Sequence, residues 1–534
     1  MSRHALNVWT VALGGLLAAL PAQAAGDDEL MLHHADFHAR LGMKVYVEVG
    51  KAGVGQTLRA ALTSDKGTSG SVGMKVNAKE EEVLTFSLRN LPAAKYTLTV
   101  ELVGGGRTLK QAVRTFEKPY DGLPRVGLDE NNAICVDGKP FFPVTTWGVG
   151  EREKDFEDWG LYANTFMGYT FSKESATVDG WKRFLDAAQR HGKKVIGPDY
   201  GNYWPNGDCR RYYTKDGKRT KDRQAKLEVM EQYVRETRDH PALLMWAWLD
   251  EPELDNNDTC VPAAEVRKWT DMCHRLDAQH LVYVNTGGGG FARPQDNWLH
   301  KHVKRYTYLY NEIGAQPRVT LADVLGEDIY PKFGPALEKA LAARQADQAA
   351  GKPVTELPSA ENMVTALDTV RQYNRDLAPV FANVRTAGFQ DGTPPPTPAQ
   401  LRFLFWANVV HGAKGIAWFH YFGETPAENK KEMARCLEQV TGLAPVICGP
   451  DYAGTVIKKE AGGGRVDLLA KQGQDALYLF AANIKESPEK VTFTPDFAPA
   501  KIEVLHESRE VKADGRTFTD SFEPLAVHVY RLTR

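Results

Sequence analysis

Residues 243–254 read LLMWAWLDEPEL, seven apolar side chains running into Asp250, Glu251 and Pro252. Two adjacent carboxylates at the mouth of an apolar run are costly to desolvate unless they are partnered or do chemistry. A carboxyl group kept neutral by burial or by a neighbouring anion can deliver a proton near neutral pH. Asp250 and Glu251 are therefore read as candidates for acid–base work, since an anion beside a carboxyl group helps hold it protonated. The competing reading is a loop cap or an ion pair with arginine. Candidates for a second carboxylate follow later in the chain. GEDIYP ends another apolar run with Glu327, Asp328 and Tyr330, and Glu424 follows AWFHYFG. Strand alternation turns Glu327 away from Asp328, so Asp328 is preferred. Glu424 precedes Thr-Pro-Ala-Glu, where an acid can simply favour a helix N-terminus.

Around these acids stand residues of the kind that hold sugars. Trp147, Tyr200, Trp204, Tyr330, Trp418 and Tyr421 offer flat aromatic faces, while Asn285, Arg385 and His420 offer polar groups for hydroxyls or a carboxylate. Each aromatic also has an ordinary use as core.

The elements that must carry them are legible from the grammar of the chain. An apolar run stopped by proline reads as a strand covered on both faces. From Phe141 onward eight such segments occur: FFPVTTWGVG, ANTFMGYTF, KKVIGPDYG, ALLMWAWLDEP, LVYVNTGG, ADVLGEDIYP, PVFANVRTAGF and KGIAWFHYFG. Each is followed by helix-like sequence. Eight β/α units within roughly 300 residues give the count of a (β/α)8 TIM barrel, whose functional residues lie at the strand C-termini. The rival, a doubly wound sheet, lacks its Gly-rich first turn. Short alternating strands before and after predict antiparallel β-sandwich domains at both ends. The expected division is 1–24 signal peptide, 25–120 N-terminal β-sandwich, 125–450 barrel and 451–534 C-terminal β-sandwich. An Ala/Lys/Gln-rich stretch between Phe333 and Glu361 reads as a helical decoration.

Composition narrows the partners. The chain of 534 residues carries 66 basic and 68 acidic side chains, a net charge of −2 that gives no footprint for nucleic acid. MSRHALNVWTVALGGLLAALPAQA has a charged start, a short apolar stretch and Ala22-Gln23-Ala24, the pattern of a secretory signal cut after Ala24. A periplasmic or secreted protein with no membrane span after cleavage is expected. Among six cysteines, Cys273 and Cys436 fall in helical patterns and read as buried thiols. Cys209 and Cys260 lie in polar loops after neighbouring strands 3 and 4, where a disulfide would flank Glu251. No CxxC or Cys/His metal spacing is present; His33, His34 and His38 could suggest a metal but are read as ordinary histidines near the mature N-terminus, and nothing requires a cofactor.

Three stretches, together with the DEP triplet, carry a resemblance. DGKPFFPVTTWG (137–148), HGAKGIAWFHYFG (411–423) and ESREVKADGRTFTDSFEPLAVHVYRL (507–532) are similar to clan A-type glycoside hydrolases with flanking β-sandwich domains. The similarity covers about residues 125 to 534. These retaining barrel enzymes end strand 4 in Asn-Glu-Pro, so the resemblance implies that Glu251 is the acid/base and that Asp250 replaces Asn. The departure is on strand 7, where the family places its nucleophilic Glu. PVFANVRTAGFQDG offers only Arg385, Gln390 and Asp391. Three readings remain open. Asp328, Glu327 or Glu424 supplies the second carboxylate, or the substrate supplies its own group, or the protein binds glycans without cleaving them. The implied activity is an exported glycoside hydrolase acting on an oligo- or polysaccharide; the alternative is a glycan-binding protein on a degenerate barrel.

Overall fold

The computed structural model describes residues 30–534, apart from 35, 68, 76–80, 148–151, 170–176, 200–224, 254–262, 289–302, 305, 308–319, 352–358, 390 and 421–422. Its centre is an eight-stranded parallel sheet curled into a (β/α)8 barrel. The strands are β1 (Val144–Thr146), β2 (Thr165–Tyr169), β3 (Lys194–Asp199), β4 (Leu243–Asp250), β5 (Leu281–Thr286), β6 (Val324–Glu327), β7 (Val380–Arg385) and β8 (Gly415–Phe419). Each pairs with its neighbour in sequence, and β1 pairs with β8. The remaining seam, between β1 and β2, is closed by Asn164. Its amide N–H donates to the Val144 carbonyl at 3.0 Å, and its side-chain oxygen accepts from the Val144 N–H at 2.8 Å.

Both faces of the strands are apolar because both are covered. Met167, Ile196, Met245, Tyr283, Val324, Phe381 and Ala417 fill the barrel interior. Trp246, Trp248, Val282, Leu325 and Trp418 belong to the layer shared with the helices. Those helices start where their caps dictate. Thr177 accepts from the Gly180 N–H ahead of helix Val178–Arg190, and Thr397 with Gln400 forms a capping box ahead of Pro398–Val410. Helix Gly334–Ala349, in the expected decoration, buries no residue.

The N-terminal end of the barrel is sealed by a small antiparallel sheet, Val126–Leu128, Ile134–Val136 and Lys139–Pro140. Val126, Leu128 and Ile134 pack into the same cluster as Leu281, Val324 and Phe381. Antiparallel sandwiches flank the barrel. The first pairs strands Met31–His34, Gly42–Glu48 and Glu81–Ser87 in one sheet, over a four-stranded sheet built from residues 57–118. The second stacks strands Val456–Glu460, Glu489–Pro495 and Phe518–Phe522 on a five-stranded sheet. Among the described residues, no helix is long and apolar enough to cross a membrane.

Candidate active site

Strand β4 ends at Asp250, and the chain then bends. Glu251 takes φ +46°, in the left-handed region that a residue with a Cβ enters only when its surroundings hold it there. Two ties to β5 do so. The Glu251 N–H donates to the Asn285 carbonyl at 3.0 Å, and the Asn285 side-chain amide donates to Asp250 Oδ1 at 2.8 Å. The register sets this up, because Asp250 stands opposite Asn285 in the ladder.

Asn285 is one link in a chain of amides across the barrel mouth. Its Oδ1 accepts from Asn383 Nδ2 at 3.0 Å and from the Tyr283 hydroxyl at 3.2 Å. Asn383 in turn accepts from Trp147 Nε1 at 2.6 Å and donates to the Glu327 carbonyl at 3.1 Å. Strands β1, β7, β5 and β4 are thereby connected beneath Glu251. Gly326 on β6 is required for the chain to pass: a Cβ there would lie 2.2 Å from both Asn285 Oδ1 and the Tyr283 hydroxyl oxygen.

Strand β6 delivers Asp328 and Tyr330 to the same mouth. The backbone beyond β6 keeps the ladder going, with Asp328 N–H on the Thr286 carbonyl and Gly288 N–H on the Asp328 carbonyl. Tyr330 places its buried phenol oxygen among the acids. Burial, then Asp328, Glu251 and Asp250 in turn, raise the phenol well above its ordinary range. Glu327 is fully buried and lies against Gly288, on the side expected from alternation. A further carboxyl, Glu253, is buried beside this group and accepts the Gly287 N–H. Burial pushes it up to about 8, and Asp250 and Asp328 add to the shift. Sequence reading passed over Glu253, since an acid beyond a proline in a polar stretch is ordinarily solvated.

The far wall comes from β7 and β8. Tyr330 stacks on Phe419 with ring centroids 5.0 Å apart and leans on Phe389 at 5.4 Å. Alternation on β7 puts Phe381, Asn383 and Arg385 on one face, so that pattern was the available signal for Asn383. Arg385 is buried and gives its guanidinium to the carbonyls of Pro394 at 2.8 Å and Pro331 at 3.4 Å. Asp391 pairs with Lys332 at 2.5 Å and accepts from Thr393.

Several expected contacts stand elsewhere. Trp418, read as a stacking platform, is instead buried against the helices, where it packs on Phe405 and donates to the Tyr162 carbonyl at 2.9 Å. The alternation that turns Ala417 and Phe419 inward turns Trp418 outward. Trp147 lies inside the barrel, 5 % exposed, with its indole N–H spent on Asn383. His420 stacks on Trp159 at 3.9 Å, and burial lowers it to about 4, so it is neutral at pH 7. Glu424 is exposed on the segment after β8. Tyr200, Trp204, Tyr421, Gln390 and the cysteines of the expected disulfide, Cys209 and Cys260, lie outside the described residues. The four described cysteines, Cys135, Cys273, Cys436 and Cys448, are buried thiols.

One group among the described residues brings metal-ligand atoms together, and it lies at the opposite end of the barrel. His38, His274 and Asp323 offer atoms within 4.8 Å of one another. The two imidazoles stack with centroids 3.7 Å apart and planes 13° from parallel. Rings so stacked cannot both aim in-plane lone pairs at one ion, and His274 Nε2 is engaged by Asp323 at 2.8 Å. The arrangement is that of a hydrogen-bonded ion cluster.

No family model and no curated protein matches the chain. Solved structures that it is similar to include a cyclomaltodextrinase, at 9 % identity and TM-score 0.48, over 93 % of this chain and 97 % of that one. Others are a GH42 β-galactosidase from G. stearothermophilus, at 10 % and 0.47 over 74 % and 98 %, and a GH30 endoxylanase from Clostridium papyrosolvens, at 12 % and 0.42 over 73 % and 95 %.

Proposed function

We propose that the protein is an exported glycoside hydrolase acting on an oligo- or polysaccharide, with Glu251 as general acid and Asp328 as the second carboxyl. The observation that carries the reading is the convergence of Asp250, Glu251 and Asp328 on the buried Tyr330 phenol at the C-terminal mouth of the barrel. Barrel enzymes work at that face. Hydrolysis of a glycosidic bond needs one carboxyl group to protonate the leaving oxygen and another to attack the sugar or activate water. The left-handed backbone at Glu251 supports the assignment, since strain of this kind is retained where a side chain must be aimed. Tyr330, Phe389 and Phe419 offer an apolar wall for a sugar ring, and Asp250 accepts from a hydroxyl beside it. The export part of the proposal rests on the first 24 residues.

A second reading has its own observation. The inward residues of β7 are Phe381, Asn383 and Arg385, so the strand brings an amide and a cation where the resembled enzymes bring a carboxylate. A barrel so equipped could hold a glycan without cutting it. Wild type and Glu251→Gln, compared on a panel of glycans and 4-nitrophenyl glycosides for both cleavage and binding, separate the two. The proposal expects cleavage by wild type and a loss of about 10²–10⁴ in kcat for the variant, with binding kept. Equal binding by both proteins with cleavage by neither would sink the hydrolase and leave the binding protein.

A further inference from the structure

Glu253 lies two residues past Glu251, beyond Pro252, and is 1 % exposed. A carboxyl group at that depth is held at a cost unless it has work to do. Its Oε1 accepts the backbone N–H of Gly287, directly after β5. The same two strand ends are joined by Glu251 N–H to the Asn285 carbonyl and by Asn285 Nδ2 to Asp250. The three ties span residues 250 to 253 on one side and 285 to 287 on the other, and the residue they enclose is the one at φ +46°.

We propose that Glu253 is a positioning residue: its carboxyl group fastens the segment after β4 to the end of β5 and so keeps Glu251 in its left-handed conformation. The inference deepens the hydrolase reading and rests on it for the role of Glu251. It does not rest on it for the fastening. Ionisation of Glu253 is opposed by two acids among the described residues, Asp250 on its own segment and Asp328 from β6. Burial, helped by these two and opposed by the Gly287 N–H, keeps the proton on Glu253 up to about pH 8. Above that pH a third negative charge enters the mouth beside Asp250 and Asp328, and the loop that carries Glu251 is pushed away from β5.

The sign of the effect on stability follows from linkage. A carboxyl raised from 4.5 to about 8 in the folded protein contributes stability that is fully present below pH 4.5 and lost as pH rises through about 8. Glu253→Gln keeps the shape and an acceptor for the Gly287 N–H but cannot ionise. Its melting temperature should match wild type at pH 5 and exceed it by at least about 2 °C at pH 9. Glu253→Ala, with no acceptor, should melt lower than wild type at pH 5. On a 4-nitrophenyl glycoside that wild type cleaves, Glu253→Gln should keep kcat at pH 6, because the acceptor for the Gly287 N–H is retained. Glu253→Ala should lose at least tenfold in kcat. Melting curves of wild type and Glu253→Gln that stay parallel from pH 5 to 9 would overturn the fastening. Diverging melting curves with kcat unchanged in Glu253→Ala would overturn the link to Glu251. Diverging curves in a protein that cleaves nothing would leave the fastening and remove the hydrolase.

Discussion

Asn383 does more for the mouth of the barrel than any charged residue of β7. It accepts from Trp147, donates to Asn285 and to the Glu327 carbonyl, and is 1 % exposed. Through Asn285 it reaches Asp250, so the acid's orientation depends on an amide three strands away in the sheet. A buried network of this kind gives one geometry when every member is satisfied and loses it when one is removed. Asn383→Ala strands the Trp147 indole N–H and part of the Asn285 acceptor. Each buried group left unpaired costs about 1–3 kcal/mol. The variant should therefore unfold at lower denaturant, by about 1–3 kcal/mol on a two-state fit, and lose activity with it. Asn383→Asp, which keeps the acceptor for Trp147 but not the donor for Asn285, should also bring a new anion near Asp250 and fare no better. Wild-type stability in Asn383→Ala would show that the chain of amides is ornamental to the fold.

At the scale of elements, the barrel owes its closed base to a sheet of three short strands. Ile134 is fully buried there with Val126 and Leu128, against Leu281, Val324 and Phe381 from three barrel strands. Ile134→Ala should cost about 2–5 kcal/mol, as truncations in tightly packed cores do. Equilibrium denaturation measures it, and a loss under about 1 kcal/mol would mean that the base repacks freely. Sequence reading reached some of these elements and missed others for definite reasons. Strand β4 was legible because LLMWAWL is apolar on both faces, and its end because Pro252 cannot continue a ladder. The eight-fold repeat was legible because each strand-like segment is followed by helix-like sequence. The seal at Val126–Leu128 and Ile134–Val136 was not, since six apolar or small residues say nothing of which long-range surface they cover. Trp418 was placed on the wrong face because periodicity gives alternation but not its phase, which Ala417 and Phe419 reveal only once the barrel exists. Glu253 was invisible for the same reason: its burial is made by Gly287 and the end of β6, far away in the chain.

The whole molecule is a barrel with a sandwich on either side, and one joint to each sandwich, at the N-terminal end of the barrel, has the same design. His274, on barrel helix Ala263–Leu276, sits between Asp323 at the foot of β6, at 2.8 Å, and Asp36 of the N-terminal region, at 3.5 Å. His411, at the end of helix Pro398–Val410, sits between Asp368 of the barrel at 2.9 Å and Asp467 of the C-terminal sandwich at 3.0 Å. Each histidine thus holds one aspartate of the barrel and one of the flanking domain. Burial opposes protonation at both, yet the paired carboxylates outweigh it and raise both imidazoles above their ordinary range. Around His274 stand the neutral His38 and the Arg267–Asp36 pair; around His411 stand Arg371, paired with Asp376, and Arg465, which shares Asp467 with the histidine. A histidine raised in the folded state contributes stability that is fully present below about pH 6.5 and lost as pH rises through its folded value. Both domains should therefore be gripped most firmly in mild acid and released together toward alkaline pH. His274→Gln and His411→Gln should each melt below wild type at pH 6, with a gap that closes by pH 9, and the double variant should show the sum, since the two joints share no residue. A gap that stays constant across that range would mean that neither histidine carries a charge at its joint.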